Sequence, residues 1–308
     1  MAQQMGVESV GTFHKRQGDQ TLLNNFGTVS GAWLRGLGGT HDQEWSSAIA
    51  GLNYQLAPKI DGHFWGIQAG LDLFSKDRAW RQERFGLFYT HIEAKGTLYG
   101  NTLAINSNKS GRLALQGDSI GGYWTNVGNN GWYLDAVTMY MWLDGSATSE
   151  RGIGASSNGD AVIASLEGGA PFPVGRSLTL EPQAQLMWQR VDLGDARDPF
   201  TTIDYQSFNA FTGRLGLRLE ADTLVRHTPV QPFISADLWH DFSRTANVMF
   251  NDRNVATAIG GTSLELRGGV SAQLTTNIAV YGSLDYTTNL NRETRRSIGG
   301  NFGIRIKW

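Results

Sequence analysis

Apolar and polar residues alternate one for one along most of this chain, up to its last residue. At the C-terminus Phe302, Ile304, Ile306 and Trp308 alternate with Asn301, Gly303, Arg305 and Lys307. Ile278, Val280, Leu284 and Tyr286 alternate with Ala279, Tyr281, Ser283 and Asp285, and Leu264, Leu266 and Val270 with Glu265, Arg267 and Ser271. The same period runs through Leu215 to Leu219, Leu178 to Trp188 and Trp65 to Leu73. A period of two marks a strand, because successive side chains point to opposite faces. The pattern predicts twelve strands, at roughly 32–40, 64–74, 84–96, 112–126, 131–145, 160–170, 177–191, 208–221, 231–243, 262–275, 278–290 and 296–308. Connections alternate between short ones (126–131, 170–175, 276–277) and longer polar ones (41–63, 146–159, 192–207, 244–261). The stretch 45–57 alternates weakly, which leaves a fourteen-strand count open.

One face of these strands is apolar and the other carries many charges. A soluble sandwich would bury the apolar face against a second sheet. Two features favour a membrane instead. The strands are long and numerous, and aromatic residues such as Trp65, Trp132, Tyr286 and Trp308 stand at their ends, as interfacial girdles do. The chain has 308 residues, 39 of them Gly, nearly twice the usual share of ~7%. It has 10 Trp, 14 Phe and only 7 Pro, which suits long, closely packed strands. Mean hydropathy is −0.29, and no run of ~18 apolar residues occurs, so a helical membrane protein is excluded while a barrel is not. The absence of Cys removes disulfides and thiolate metal sites. A net charge of −2, with both signs interleaved, offers no general field for nucleic acid.

The first ~25 residues lack the alternation. Val10, Phe13, Gln17 and Thr21 share one helical face, so a short polar helix between Val7 and Leu23 is expected, weakened by Gly11 and Gly18. A helix this polar belongs in water or in a charged lumen. Met1-Ala2-Gln3-Gln4 lacks the basic start and apolar run of a secretory signal, so the expectation is that the chain is the C-terminal part of a longer precursor.

Several segments resemble, in order, the C-terminal β-domain of autotransporters (type V secretion). They are Gly11-Thr12-Phe13-His14-Lys15-Arg16-Gln17-Gly18-Asp19-Gln20 with Trp33-Leu34-Arg35, Gly66 to Asp72, Leu180 to Leu186, Gly213 to Arg218 and Gly300 to Trp308. The resemblance covers nearly the whole chain. It implies an all-β fold: a twelve-stranded antiparallel transmembrane barrel (26–308), multi-pass in a Gram-negative outer membrane. Residues 1–25 would form a passenger-end linker and a luminal helix. It implies no cofactor and these partners: outer-membrane lipid, periplasmic chaperones, the β-barrel assembly machinery and the chain's own passenger. The assembly machinery reads a last strand ending in an aromatic, a pattern matched by Phe302, Ile304, Ile306 and Trp308. A closed barrel needs no second copy, so a monomer is expected.

Strand parity points Arg35, Asp72, Asp135, Glu181, Arg214, Arg218, Glu220, Asp237, Glu265, Arg267, Asp285, Arg305 and Lys307 into one water-filled tube. Some of these charges pair with each other. Others hold the helix through Phe13, His14, Lys15, Arg16 and Asp19, with Glu181, Asp237 and Asp285 as candidate carboxylates. Gly117-Asp118-Ser119-Ile120-Gly121 matches G-x-S-x-G but lies inside a strand with no helix after it, which the nucleophile elbow requires. None of the six His has a partner at metal-ligand spacing, and His240 and Asp241 point to opposite faces. Relatives that cut themselves use a luminal Asn. Asn24-Asn25 lies after the matching motif and the aligned Val10-Gly11 has none, so self-cleavage of this type is not expected. The leading reading is a translocator rather than an enzyme. The alternatives are an outer-membrane channel that owns its lumen and, below it, a barrel hydrolase, for which no catalytic rim cluster is found.

Overall fold

The computed structural model describes residues 1–18, 31–49, 55–78, 80–102, 105–243, 245–291 and 295–308. Twelve strands form the wall: β1 Gly31–Glu44, β2 Lys59–Arg78, β3 Arg81–Thr102, β4 Ile105–Gly128, β5 Tyr133–Ser149, β6 Gly154–Gly169, β7 Leu178–Leu193, β8 Phe208–Ala221, β9 Thr228–Asp241, β10 Gly261–Gln273, β11 Ile278–Asn289 and β12 Arg295–Lys307. Each pairs antiparallel with its neighbours in the chain, and β12 pairs back on β1, with Lys307 opposite Gly31 and Arg295 opposite Gln43. The sheet therefore closes and leaves no row of unpaired peptide groups.

Both ends of the wall sheet lie on the rim that carries the tight turns 129–132 and 274–277. In an outer-membrane barrel this is the periplasmic rim. At the opposite rim the connections expected to be long divide into two kinds. The segments Ser47–Ile49, Gln55–Leu56, Ala196–Arg197, Thr202–Tyr205, Thr245–Phe250 and Arg253–Ala258 build a separate six-stranded sheet over the mouth. The described strands of the weakly alternating stretch 45–57, Ser47–Ile49 and Gln55–Leu56, thus belong to this cap and not to the wall. By contrast, 146–159 is no loop: β5 and β6 run on to a turn at 150–153. The hairpin of β3 and β4 rises similarly, and the 24 residues of β4 far exceed the ~10 that a tilted strand needs to cross a bilayer. Such extensions escape a reading by period because both of their faces meet water.

Outside the wall, the apolar set is bare: Leu215 is 65% exposed, Leu284 73% and Phe302 63%. Inside, most of the charged set is buried against a lumen that is packed and not a uniformly wet tube. Phe88, Ile92, Met139, Met141, Leu143, Ile163 and Met187 from β3 and β5–β7 form an apolar sector on one side. Arg214, Arg218, Asp237, Glu265, Arg267 and Arg305 from β8–β10 and β12 form a charged sector on the other. In β5 both faces are apolar, with Tyr140 and Trp142 outside and Met139, Met141 and Leu143 inside, so no alternation could announce the inner ones. The glycine content has a packing reason. Inward rings lie flat over gaps on the adjacent strand: Trp33 over Gly70, Tyr123 over Gly86, Phe88 over Gly121 and Tyr281 over Gly303, where a Cβ would overlap each ring.

The N-terminal segment threads the lumen as two helices, α1 Ala2–Val10 and α2 Phe13–Gln17, rather than the single helix expected from Val7 to Leu23. Gly11 and Gly18 end them with φ of 60° and 71°, which L side chains rarely adopt, and Thr12 caps α2. Met5 and Val10 of α1 face the apolar sector. Gln3 of α1 hydrogen-bonds Asp241 at the capped rim, and Gln17 of α2 accepts from Arg305 toward the periplasmic rim, so the chain descends from one mouth toward the other before entering β1.

A charge on the outer face separates lipid from water as the surrounding solvent. Leu215→Arg, mid-strand on β8, is expected to destabilise the barrel by about 2–4 kcal/mol, and Asn209→Arg near the capped rim by about 0–1 kcal/mol, measured by urea titration of folding into bilayers.

Candidate functional site in the barrel lumen

Helix ends leave carbonyls and N–H groups without partners, and in a packed lumen the wall must supply them. The C-terminal turn of α1 shows this directly. Arg35 Nη2 of β1 donates to the carbonyls of Glu8 at 2.8 Å and Ser9 at 3.2 Å, and Gln68 Nε2 of β2 donates to Ser9 O at 2.8 Å. Arg16 Nη1 reaches back to Val10 O at 3.2 Å, and Gln185 Nε2 of β7 takes Gly11 O at 3.0 Å. Four successive carbonyls are thus satisfied by side chains. A guanidinium at this position also complements the negative end of the helix.

The second helix is held from both ends. At its start the Phe13 N–H donates to Glu167 Oε2 of β6 at 2.8 Å, and Thr12 Oγ1 accepts from the Lys15 N–H at 3.2 Å. At its end Asn301 Nδ2 of β12 donates to Lys15 O at 3.1 Å, and the Tyr281 hydroxyl of β11 donates to Arg16 O at 2.5 Å.

Its side chains reach β5, β7, β10 and β11. The Phe13 ring stacks on Tyr133 with centroids 4.4 Å apart. His14 Nε2 lies 2.8 Å from Glu181, and Lys15 Nζ lies 3.2 Å from both Glu265 and Asp285. Arg16 Nη2 meets Asp135 at 2.5 Å with both side chains almost fully buried. The wall carboxylates are in turn held in place. Thr125 donates to Asp135 at 2.6 Å, and the Tyr133 hydroxyl donates to Glu167 at 2.7 Å. Arg214 bridges Glu167 at 2.8 Å and Asp237, and Arg267 joins Asp237 at 3.0 Å to Glu265 at 2.6 Å. Arg305 bonds Asp72 at 2.5 Å, which also accepts from the Tyr123 hydroxyl at 2.6 Å. This matters because removing one partner of a buried pair leaves the other charge without water or counter-charge.

The residues picked from the sequence largely converge here. Phe13, His14, Lys15 and Arg16 all touch the wall, whereas Asp19 lies outside the described residues, as do Asn24 and Asn25. Among the wall charges, Arg35, Asp72, Asp135, Glu181, Arg214, Arg218, Glu220, Asp237, Glu265, Arg267, Arg305 and Lys307 are buried and Asp285 is half-buried. Among the described residues the charged partners of Asp237 are Arg214 and Arg267 of the wall and not the helix. Sequence reasoning missed Glu167, the junction between helix, Tyr133 and Arg214. It also missed Gln68, Gln185, Tyr281 and Asn301, which carry no charge and so left no mark in a charge count. The G-x-S-x-G serine is buried in the wall, and Asp118 beside it faces outward toward Tyr89 and His91. His240 bonds Thr262 on the outside while Asp241 bonds Gln3 within, so the two side chains point to opposite faces of the wall.

A closed twelve-stranded wall threaded by its own N-terminal segment is a distinctive arrangement, and comparison with known proteins identifies it. The family model of the autotransporter beta-domain matches residues 32–285. This chain belongs to the autotransporter β-domain family. The adhesin BmaC autotransporter of Brucella suis is 25% identical over 270 residues, covering 80% of this chain and 7% of that protein. The chain spans less than two thirds of the length of this and the other leading curated relatives it matches. The transport unit of the autotransporter AIDA-I from Escherichia coli superposes with a TM-score of 0.72 at 19% identity, covering 100% of this chain and 97% of that one. The β-domain of the Bordetella autotransporter BrkA gives 0.67 at 22% identity, covering 91% and 99%. This autotransporter β-domain is an outer-membrane translocator barrel.

Asp135→Ala leaves the buried Arg16 guanidinium without its carboxylate. It is expected to loosen α2 by about 3–5 kcal/mol, the cost of breaking a buried pair. Amide exchange over residues 12–18 should rise sharply while exchange in the wall strands stays slow.

Proposed function

We propose that this barrel anchors a passenger joined upstream of α1 and serves as its route to the cell surface, and that α1 and α2 are the tail left in the lumen after transport. One observation carries the reading: the N-terminal segment runs from the capped rim toward the periplasmic rim and is bonded to the wall through its own backbone. A chain handed outward through the lumen would end in this direction, with its upstream part outside. The reading is non-enzymatic, and it divides the chain into a luminal tail of about residues 1–25 and a wall that follows.

The outer face of β12 suits the remaining partners. Phe302, Ile306 and Trp308 are exposed and Ile304 partly so, which supports an aromatic-ended row open to an assembly factor in the membrane. We propose these four residues as the signal for the β-barrel assembly machinery, with periplasmic chaperones holding the chain beforehand and a monomer as the inserted state.

Conductance tests the plugged conduit. Beside α1 a crevice of about 110 Å³ remains, lined by Glu8, Asp241, Glu265 and Arg295 among others. The intact barrel in a planar bilayer should therefore pass only small currents, and removal of residues 1–18 should open steps several-fold larger. Equal conductance with and without the segment would show that it does not fill the lumen in the membrane.

A further inference from the structure

Above the lipid-facing belt on one side of the barrel, the strand registers lay out a polar groove. On the outer faces of β3 to β6, the row Tyr89, Ile120, Tyr140 and Val162 closes the apolar belt. The next row is His91, Asp118, Trp142 and Asp160, followed by Glu93, Gln116, Asp144 and Asn158. The second and third of these rows change from hydrocarbon-like to hydrogen-bonding within two residues per strand. The extended β3–β4 and β5–β6 hairpins then curve to leave a hollow of about 450 Å³, bounded by Glu93, Gln116, Asp144, Asn158, Ser146 and Ser156. At its foot Tyr140 and Trp142 form an edge-to-face pair with ring centroids 5.0 Å apart, and Trp142 is 47% exposed.

We propose that this hollow binds uncharged sugars of a glycolipid of the outer leaflet. The position continues the lipid-facing surface at the height where headgroups begin. The chemistry selects sugar over phosphate. Glu93, Asp118, Asp144 and Asp160 would repel an anion, and the one lysine, Lys95, is held by Glu93 at 3.0 Å. Sugar hydroxyls donate to carboxylates and accept from the amides of Gln116 and Asn158, while a sugar ring packs its C–H face on an aromatic platform. The row at the foot of the hollow is held in place. Tyr89 at 2.5 Å and His91 at 2.9 Å fix Asp118. Among the described residues no partner holds the Asp144 carboxylate or the Asn158 side-chain amide. The proposal rests on the outer-membrane location alone and not on transport of a passenger.

The test uses the whole chain, purified in neutral detergent, with two probes of matched acyl chains: an uncharged diglucosyl diacylglycerol and phosphatidylglycerol. Native mass spectrometry should show the glycolipid retained with roughly tenfold higher affinity than the phospholipid. The triple variant Gln116→Ala, Asp144→Ala, Asn158→Ala should lose that preference while keeping the heat-resistant electrophoretic migration of a folded barrel. Equal retention of the two lipids by the unaltered chain, or an unchanged preference in the folded variant, would overturn the proposal. Should the variant not fold, the comparison of the two lipids on the unaltered chain still decides. Neither readout depends on whether the barrel is plugged, so its failure is distinct from failure of the transport reading.

Discussion

Hydrocarbon offers no partner to a peptide group, and this constraint governs the rest of the molecule. Each N–H and C=O that crosses the bilayer must be bonded within the protein, which a sheet achieves only by closing on itself. Closure of β12 on β1 leaves two surfaces with opposite needs. The outer must be apolar and the inner can be polar, so side chains alternate at period two along every crossing strand. The hydrophobic effect thus acts at the outside of this protein. The interior is held by hydrogen bonds, ion pairs and one apolar sector.

The same constraint recurs at smaller scale in the lumen. The N-terminal segment cannot run as one helix, because Gly11 and Gly18 interrupt it, and each interruption exposes carbonyls. Arg35, Gln68, Gln185, Asn301 and Tyr281 answer them from the wall, and Glu167 answers the Phe13 N–H. The lumen therefore recognises backbone as much as side chains. An unmet buried carbonyl costs about 1–3 kcal/mol, so these contacts together outweigh any single ion pair in fixing the segment's path. The split between apolar and charged sectors fixes its rotation, since Met5 and Val10 meet the methionine-rich side and Lys15 the carboxylates of β10 and β11.

How much of this the sequence disclosed follows from which residues carry a periodic signal. Wall strands in the bilayer were legible because one face is lipid, so Leu215 and Arg214 differ sharply. The same parity placed Arg35, Asp72, Asp135 and Arg305 inward without any structure. Where both faces are apolar, as in β5, or both polar, as in the hairpin tips, parity has no contrast, and the strand extents at 146–159 were misread. Pairing was beyond reach for a different reason. Asp237 and Asp285 look alike along the chain, and only the register decides that one faces Arg214 and the other Lys15. The glutamines that bind the helix backbone had no signal at all, because an amide is equally common on any polar face.

The claim beneath all of this is that the two faces of each strand meet different media. The chain has no Cys, so single nitroxide labels can be placed at will from residue 211 to 221 on β8. Collision with dissolved oxygen and with a water-soluble nickel chelate, measured in reconstituted bilayers, reads the medium at each site. The account expects oxygen accessibility to peak at the odd positions 211 to 219, with the even positions shielded from both reagents by the packed lumen. Equal accessibility at odd and even positions, or nickel reaching Leu215 and Leu217, would contradict it.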